Sequence, residues 1–162
     1  MFRCLAAAVL LAAAPSAQAQ SAPAIEATAK IEHGGLYEIV YNPADRRVYV
    51  AATGPRGANA AKVIVLDAAT LKQVSEIDVS KAALFGLGID RKAQILYGTA
   101  TRDGLVSAID IGSGAVTSFK AEGSERAHVR EVVADETSGK AYVSVLVGGE
   151  RGEGPPQPQQ IW

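Results

Sequence analysis

The sequence predicts an all-β protein assembled from repeated units of four short antiparallel strands. Two observations carry this. First, β-branched and aromatic runs of strand length alternate with Gly, Asp, Asn and Ser turns, and long helical periodicity is absent. Second, one motif returns at nearly constant spacing. The segments "YNPADRRVYVAAT", "IDRKAQILYGTAT" and "ADETSGKAYVSVL" align without gaps. In each, Asn or Asp is followed after six residues by Tyr: Asn42 and Tyr49, Asp90 and Tyr97, Asp135 and Tyr142. An apolar run precedes each pair, which reads as a hairpin whose first strand ends at a turn-capping Asn or Asp.

The elements follow in order. The first twenty residues, "MFRCLAAAVLLAAAPSAQAQ", combine a basic start at Arg3, an apolar run and a small-residue site at Ala17-Gln18-Ala19. That is the pattern of a secretory signal peptide cleaved after Ala19, so residues 1–19 are set apart and the mature chain is expected in the periplasm or outside the cell. Its apolar run is too short for a permanent membrane anchor, and no stable membrane insertion is expected. Residues 20–33 alternate weakly in "AIEATAKIEH" and read as a ring-closing strand. The first unit, 34–80, supplies strands near 36–42, 47–53, 62–67 and 72–79. The second, 81–121, supplies strands near 84–90, 94–101, 105–110 and 115–120. The third, 122–162, supplies strands near 129–135 and 140–147. In "KVIVLDAATLKQVSEIDV" and "LVSAIDIGSGAVTSFKAE", Asp67 and Asp110 again stand where a tight turn needs a local acceptor.

Asn42 and Asp90 are 48 residues apart, and Asp90 and Asp135 are 45 apart. Four strands per unit at that period is the signature of a β-propeller blade. The stretches "YEIVYNPADRRVYVA", "LFGLGIDRKAQILYG", "VSAIDIGSGAV" and "REVVADETSGKAYVSVL" resemble the YVTN-repeat β-propellers, and more narrowly the exported YncE-like proteins. The likeness runs from about Gly34 to Val147. The family tetrad reads Tyr49-Val50-Ala51-Ala52, Tyr97-Gly98-Thr99-Ala100 and Tyr142-Val143-Ser144-Val145 here, so its asparagine is missing from every repeat. The resemblance implies a seven-bladed ring, roughly 300 residues at this period. The expectation is therefore an N-terminal fragment of about two and a half blades. In it the third blade stops after its second strand, "GGERGEGPPQPQQ" is an inter-strand loop, and Ile161 and Trp162 open the third strand.

Composition excludes some functions. Cys4, the single cysteine, lies in the signal segment, so the mature chain has no disulfide framework. Cleavage removes Arg3 from the 16 basic residues and leaves all 17 acidic ones. That balance argues against general attraction to nucleic acid or anionic membrane. Arg46-Arg47, Arg91-Lys92 and Arg102 recur after the inner strands and read as a basic arc, but without an interleaved aromatic platform for bases. The spacings of zinc, calcium, haem, phosphate-loop and nucleophile-elbow sites are missing, so no cofactor, metal or catalytic residue is assigned.

One constellation stands out. Propeller ligands meet where the innermost strand of each blade begins. By repeat register those positions are Tyr37 and Glu38, Phe85 and Gly86, and Arg130 and Glu131, with His128 just upstream. Converging aromatic and charged groups on a rigid rim suit a small molecule, a peptide or a protein segment. The favoured function is an exported binding or scaffolding module capturing a ligand or partner at the channel mouth. An enzyme whose catalytic groups lie in further blades, and a nucleic-acid-associated propeller, stay open as alternatives, because this architecture hosts many functions.

Overall fold

The computed structural model describes residues 22–120, 127–147 and 159–162. The segments expected as a signal peptide and as the loop after Val147 lie outside the described residues, the latter for the most part. Eleven strands and no helix are found among those described. None of the described residues forms a helix long and apolar enough to cross a membrane.

The strands form three antiparallel meanders. The first blade holds β1 (Leu36–Asn42), β2 (Arg47–Ala52), β3 (Lys62–Asp67) and β4 (Gln73–Asp78) in that spatial order. The second holds β5 (Gly86–Asp90), β6 (Ile95–Ala100), β7 (Leu105–Asp110) and β8 (Val116–Phe119), again in sequence order. The third has β9 (Ala127–Asp135), β10 (Lys140–Val147) and β11 (Gln160–Ile161). Ile161 pairs with Ser144, and Trp162 exchanges backbone hydrogen bonds of 2.9 Å with Val143. Gln160 and Ile161 thus add a third strand to the third blade. Successive inner strands touch, β1 with β5 and β5 with β9, as blades around a common axis require.

The cores lie between blades. Tyr49, Ala51, Val63 and Val65 on one face of blade one pack with Leu84, Leu87, Leu96 and Ile109 of blade two. Tyr97 and Val106, on the opposite face of blade two, pack against Val129, Val132, Val143 and Val145 of blade three. Blade one is covered by blade two on one face and by Ile31 on the other, which explains the continuous apolar run of β3, whereas β9 is covered on one face and alternates. Blade two approaches blade three so closely that its inner strand needs glycine. A Cβ on Gly86 would stand 2.5 Å from the Arg130 carbonyl oxygen, and one on Gly88 would stand 2.4 Å from that of Val132.

Residues 22–31, in the segment read as a ring-closing strand, pair with none of the three described blades. Instead Ile31 packs on the far face of blade one, against Val50, Ala52, Ile64 and Leu66. Weak alternation suits any extended segment laid on an apolar sheet face, so it cannot distinguish covering a sheet from joining one.

All five tight hairpins at one end of the blades share a design. Asn42, Asp67, Asp90, Asp110 and Asp135 each accept a backbone N–H two or three residues ahead, at 2.7 to 3.2 Å. Four residues after each of them comes a left-handed residue: Arg46, Leu71, Gln94, Gly114 and Gly139, with φ between 54° and 73°. The Asx side chain starts the reversal and the left-handed residue completes it. Between blades, the amide of Asn42 donates to Gln94 Oε1 at 2.9 Å, and Arg91 Nε donates to Glu136 Oε1 at 2.6 Å.

Candidate functional site

The opposite end of the blades carries the candidate site. There the inner strands of blades one and three break their ladders at the same repeat position. In blade one, Leu36 faces Ala52 and Ile39 faces Val50, so Tyr37 and Glu38 together oppose Ala51. In blade three, Val129 faces Val145 and Val132 faces Val143, so Arg130 and Glu131 together oppose Ser144. The Glu131 N–H then donates to the Ser144 hydroxyl at 3.1 Å. In blade two, the Phe85 N–H donates to the Thr99 carbonyl at 2.8 Å, while the Gly86 N–H donates to Thr99 Oγ1 at 3.1 Å. A bulge twists a strand locally and re-aims its side chains, and such irregularities gather beside binding sites.

These bulges bring the sequence-predicted residues together. Tyr37, Glu38, Phe85, Arg130 and Glu131 line one cavity of about 560 Å³, joined by Leu36, Gly86, Thr101 and Arg102. The rings of Tyr37 and Phe85 meet edge to face, with centroids 4.6 Å apart and planes at 70°. The Arg102 guanidinium carbon lies 5.2 Å from the centroid of Phe85, a cation–π contact. The rim therefore presents an aromatic pair flanked by two arginines and two glutamates. The ion pairs among the described residues are Arg47 with Asp67, Lys62 with Glu76, and Arg91 with Glu136. None involves the four charged residues of the rim.

The rim is held from behind by Thr99. This buried side chain donates to the Arg130 carbonyl and accepts the Gly86 N–H, tying the start of β5 to the bulge of blade three. Sequence reasoning missed Thr99 because it occupies an ordinary strand position. Its signal is only the glycine opposite it, Gly86. Arg102 was visible, but as part of a basic arc.

Two expectations change. His128 does not line the cavity. It pairs with Leu146, on the face of blade three turned away from blade two. The bulge at Arg130 and Glu131 adds one residue to β9, which inverts the in–out alternation upstream of it. The basic arc also divides. Arg46, Arg47, Arg91 and Lys92 lie in the hairpins of the capped end, where Arg47 and Arg91 are paired, whereas Arg102 stands at the mouth. A continuous cationic track is absent from the described residues. No group of three His, Cys, Asp or Glu side chains there gathers as a metal site would require.

No family model matches the chain, and no curated protein matches it in sequence. Solved structures match it in shape. The β-propeller domain of Cps50 (Swd1) from Myceliophteria thermophila aligns over 76% of this chain and 35% of its own, with TM-score 0.54 and 12% identity. Hydrazine synthase of Kuenenia stuttgartiensis aligns over 77% of this chain and 36% of its own, with TM-score 0.55 and 18% identity. The WD40 repeats of RRP9 align over 72% of this chain and 36% of theirs, with TM-score 0.56 and 15% identity. The chain thus spans little more than a third of these neighbours, and at such identity the likeness concerns the fold alone. What the meanders, the contacting inner strands and these neighbours establish together is a β-propeller fold, present here as three successive blades.

Proposed function

We propose that this chain is the N-terminal part of an exported, non-enzymatic β-propeller of YncE-like type that captures a ligand or partner at the mouth of its central channel. The observation that carries the reading is the convergence of Tyr37, Glu38, Phe85, Arg102, Arg130 and Glu131 on one cavity. Aromatic surface fixed edge to face provides contact at little entropic cost, and charges outside any ion pair among the described residues provide specificity. The group suits a small molecule or peptide with an aromatic or cationic portion. Export rests on the signal-like first 19 residues, and the YVTN-type placement rests on the three Asx-to-Tyr hairpins.

Continuation of the ring is supported by the far face of blade three. Val133, Tyr142, Leu146 and Ile161 are exposed there at 64, 47, 50 and 69%. Their neighbours on the inner face, Val132, Val143 and Val145, are 2 to 5% exposed. Apolar faces of stacked repeats are normally covered by the next repeat.

A thermal-shift screen of the full-length protein against small molecules and peptides tests the function. A hit is expected to lose at least tenfold in affinity with Tyr37→Ala and with Glu131→Gln. Hits that bind both variants as tightly as the parent would place the site elsewhere and end this reading.

A further inference from the structure

We infer that a second, anion-binding site lies beside the mouth, between the first two blades, and takes an oxyanion-bearing small molecule. A cavity of about 440 Å³ opens there between the loop after β2, the connection from β4 to β5 and the turn after β6. Three cations line it, Arg56, Lys81 and Arg102, against one carboxylate, Asp103. None of the three belongs to an ion pair among the described residues. The protein as a whole carries a formal net charge of −1, so this local excess of positive charge runs against its composition.

The scaffold is fixed rather than loose. The Thr53 N–H donates to the Gly35 carbonyl and the Gly54 N–H to the Gly34 carbonyl, both at 2.9 Å, while the Ala58 N–H closes onto Pro55 at 3.1 Å. Arg102 lies against the Phe85 ring, which orients its planar guanidinium. Three like charges facing one cavity repel one another, and an oxyanion relieves that repulsion while accepting their N–H groups. Guanidinium and ammonium groups bind phosphate and carboxylate by the same chemistry, so the two sources are separated by experiment. Tyr37 and Arg102 line both cavities. The anion site nevertheless stands without the mouth reading, because Arg56 and Lys81 line this cavity and not the mouth.

Isothermal titration of the full-length protein with inorganic phosphate and, separately, with citrate tests the site. At least one anion is expected to bind saturably. The anion that binds identifies the class. The double variant Arg56→Ala/Lys81→Ala, and independently Lys81→Gln, are expected to weaken that binding, the double at least tenfold. Lys72→Ala, at the other end of blade one, is expected to leave it unchanged. Both cations removed are exposed, so an unchanged melting temperature accompanies the loss. Saturable binding of neither anion, binding that survives the double variant, or equal weakening by Lys72→Ala would overturn the site.

Discussion

The two ends of the blades use the same residue types in opposite ways. At the hairpin end, every tight turn starts on an Asn or Asp that accepts local N–H groups, and Arg47 and Arg91 each meet a carboxylate. At the mouth end, Glu38, Arg102, Arg130 and Glu131 stand around one cavity outside any ion pair of the described residues. The hairpin end closes its polar groups on the protein itself. The mouth end leaves them turned to whatever enters. The difference separates the part of each repeat that specifies the fold from the part open to function.

That contrast can be broken from either side. The largest stability effect is expected at Asn42, which is fully buried, accepts the Ala44 N–H and donates to Gln94. Asn42→Ala leaves both partners unsatisfied and is expected to cost about 1–3 kcal/mol in chemical denaturation, with ligand affinity unchanged. The mirror case is Arg130→Ala. Its exposed side chain contributes little to packing, so stability is expected to move by no more than about 0.5 kcal/mol. Affinity for a mouth ligand is expected to fall about tenfold, or about 1.4 kcal/mol.

A smaller gain is expected at Arg46, which is exposed and holds φ at 57°. Arg46→Gly removes left-handed strain at the price of a freer unfolded chain, and a net stabilisation of up to about 1 kcal/mol should appear in the melting temperature. The smallest effect concerns pH. Hydrogen bonds from Thr70, Ser113 and Ser138 hold the carboxyls of Asp67, Asp110 and Asp135 below the ordinary aspartate value of 3.8, and Arg91 does the same for Glu136. Because the folded values are depressed, these groups stabilise the fold above that pH, and the contribution disappears as pH falls through the depressed values. Asp110→Asn keeps an acceptor for the turn and is expected to flatten the acid limb of a melting-temperature profile below about pH 4.

The three repeat tyrosines show why the fold was legible. Tyr49, Tyr97 and Tyr142 share a register position. Tyr49 is buried against blade two and Tyr97 packs on blade three, while Tyr142 is 47% exposed on the face that no described blade covers. The spacing of Asx and Tyr encodes a hairpin and one filled inter-blade position, and both are local facts that a sequence can state. The same register placed Tyr37, Glu38, Phe85, Arg130 and Glu131 around one cavity.

What the register could not convey was parity. An extra residue in a strand changes no composition and no spacing between turns, yet it turned His128 to the opposite face of β9. Nor could it convey which end of a blade a loop occupies without tracing each strand's direction. Arg102 therefore read as kin to Arg91, although the two lie at opposite ends of β6. The N-terminal segment shows a third limit: alternation reports a covered face, and residues 22–31 carry it without pairing in a ladder of the described blades.

The division between the two ends is tested most directly on a single strand. Arg130 stands at the mouth end of β9 and Asp135 at its hairpin end. Melting temperature and affinity for a ligand recovered by the screen should be measured for Arg130→Ala and Asp135→Ala in the full-length protein. The expected result is a crossing. Asp135→Ala lowers the melting temperature and leaves affinity unchanged, while Arg130→Ala leaves the melting temperature unchanged and weakens binding about tenfold. Equal effects of the two substitutions on both quantities would contradict the account.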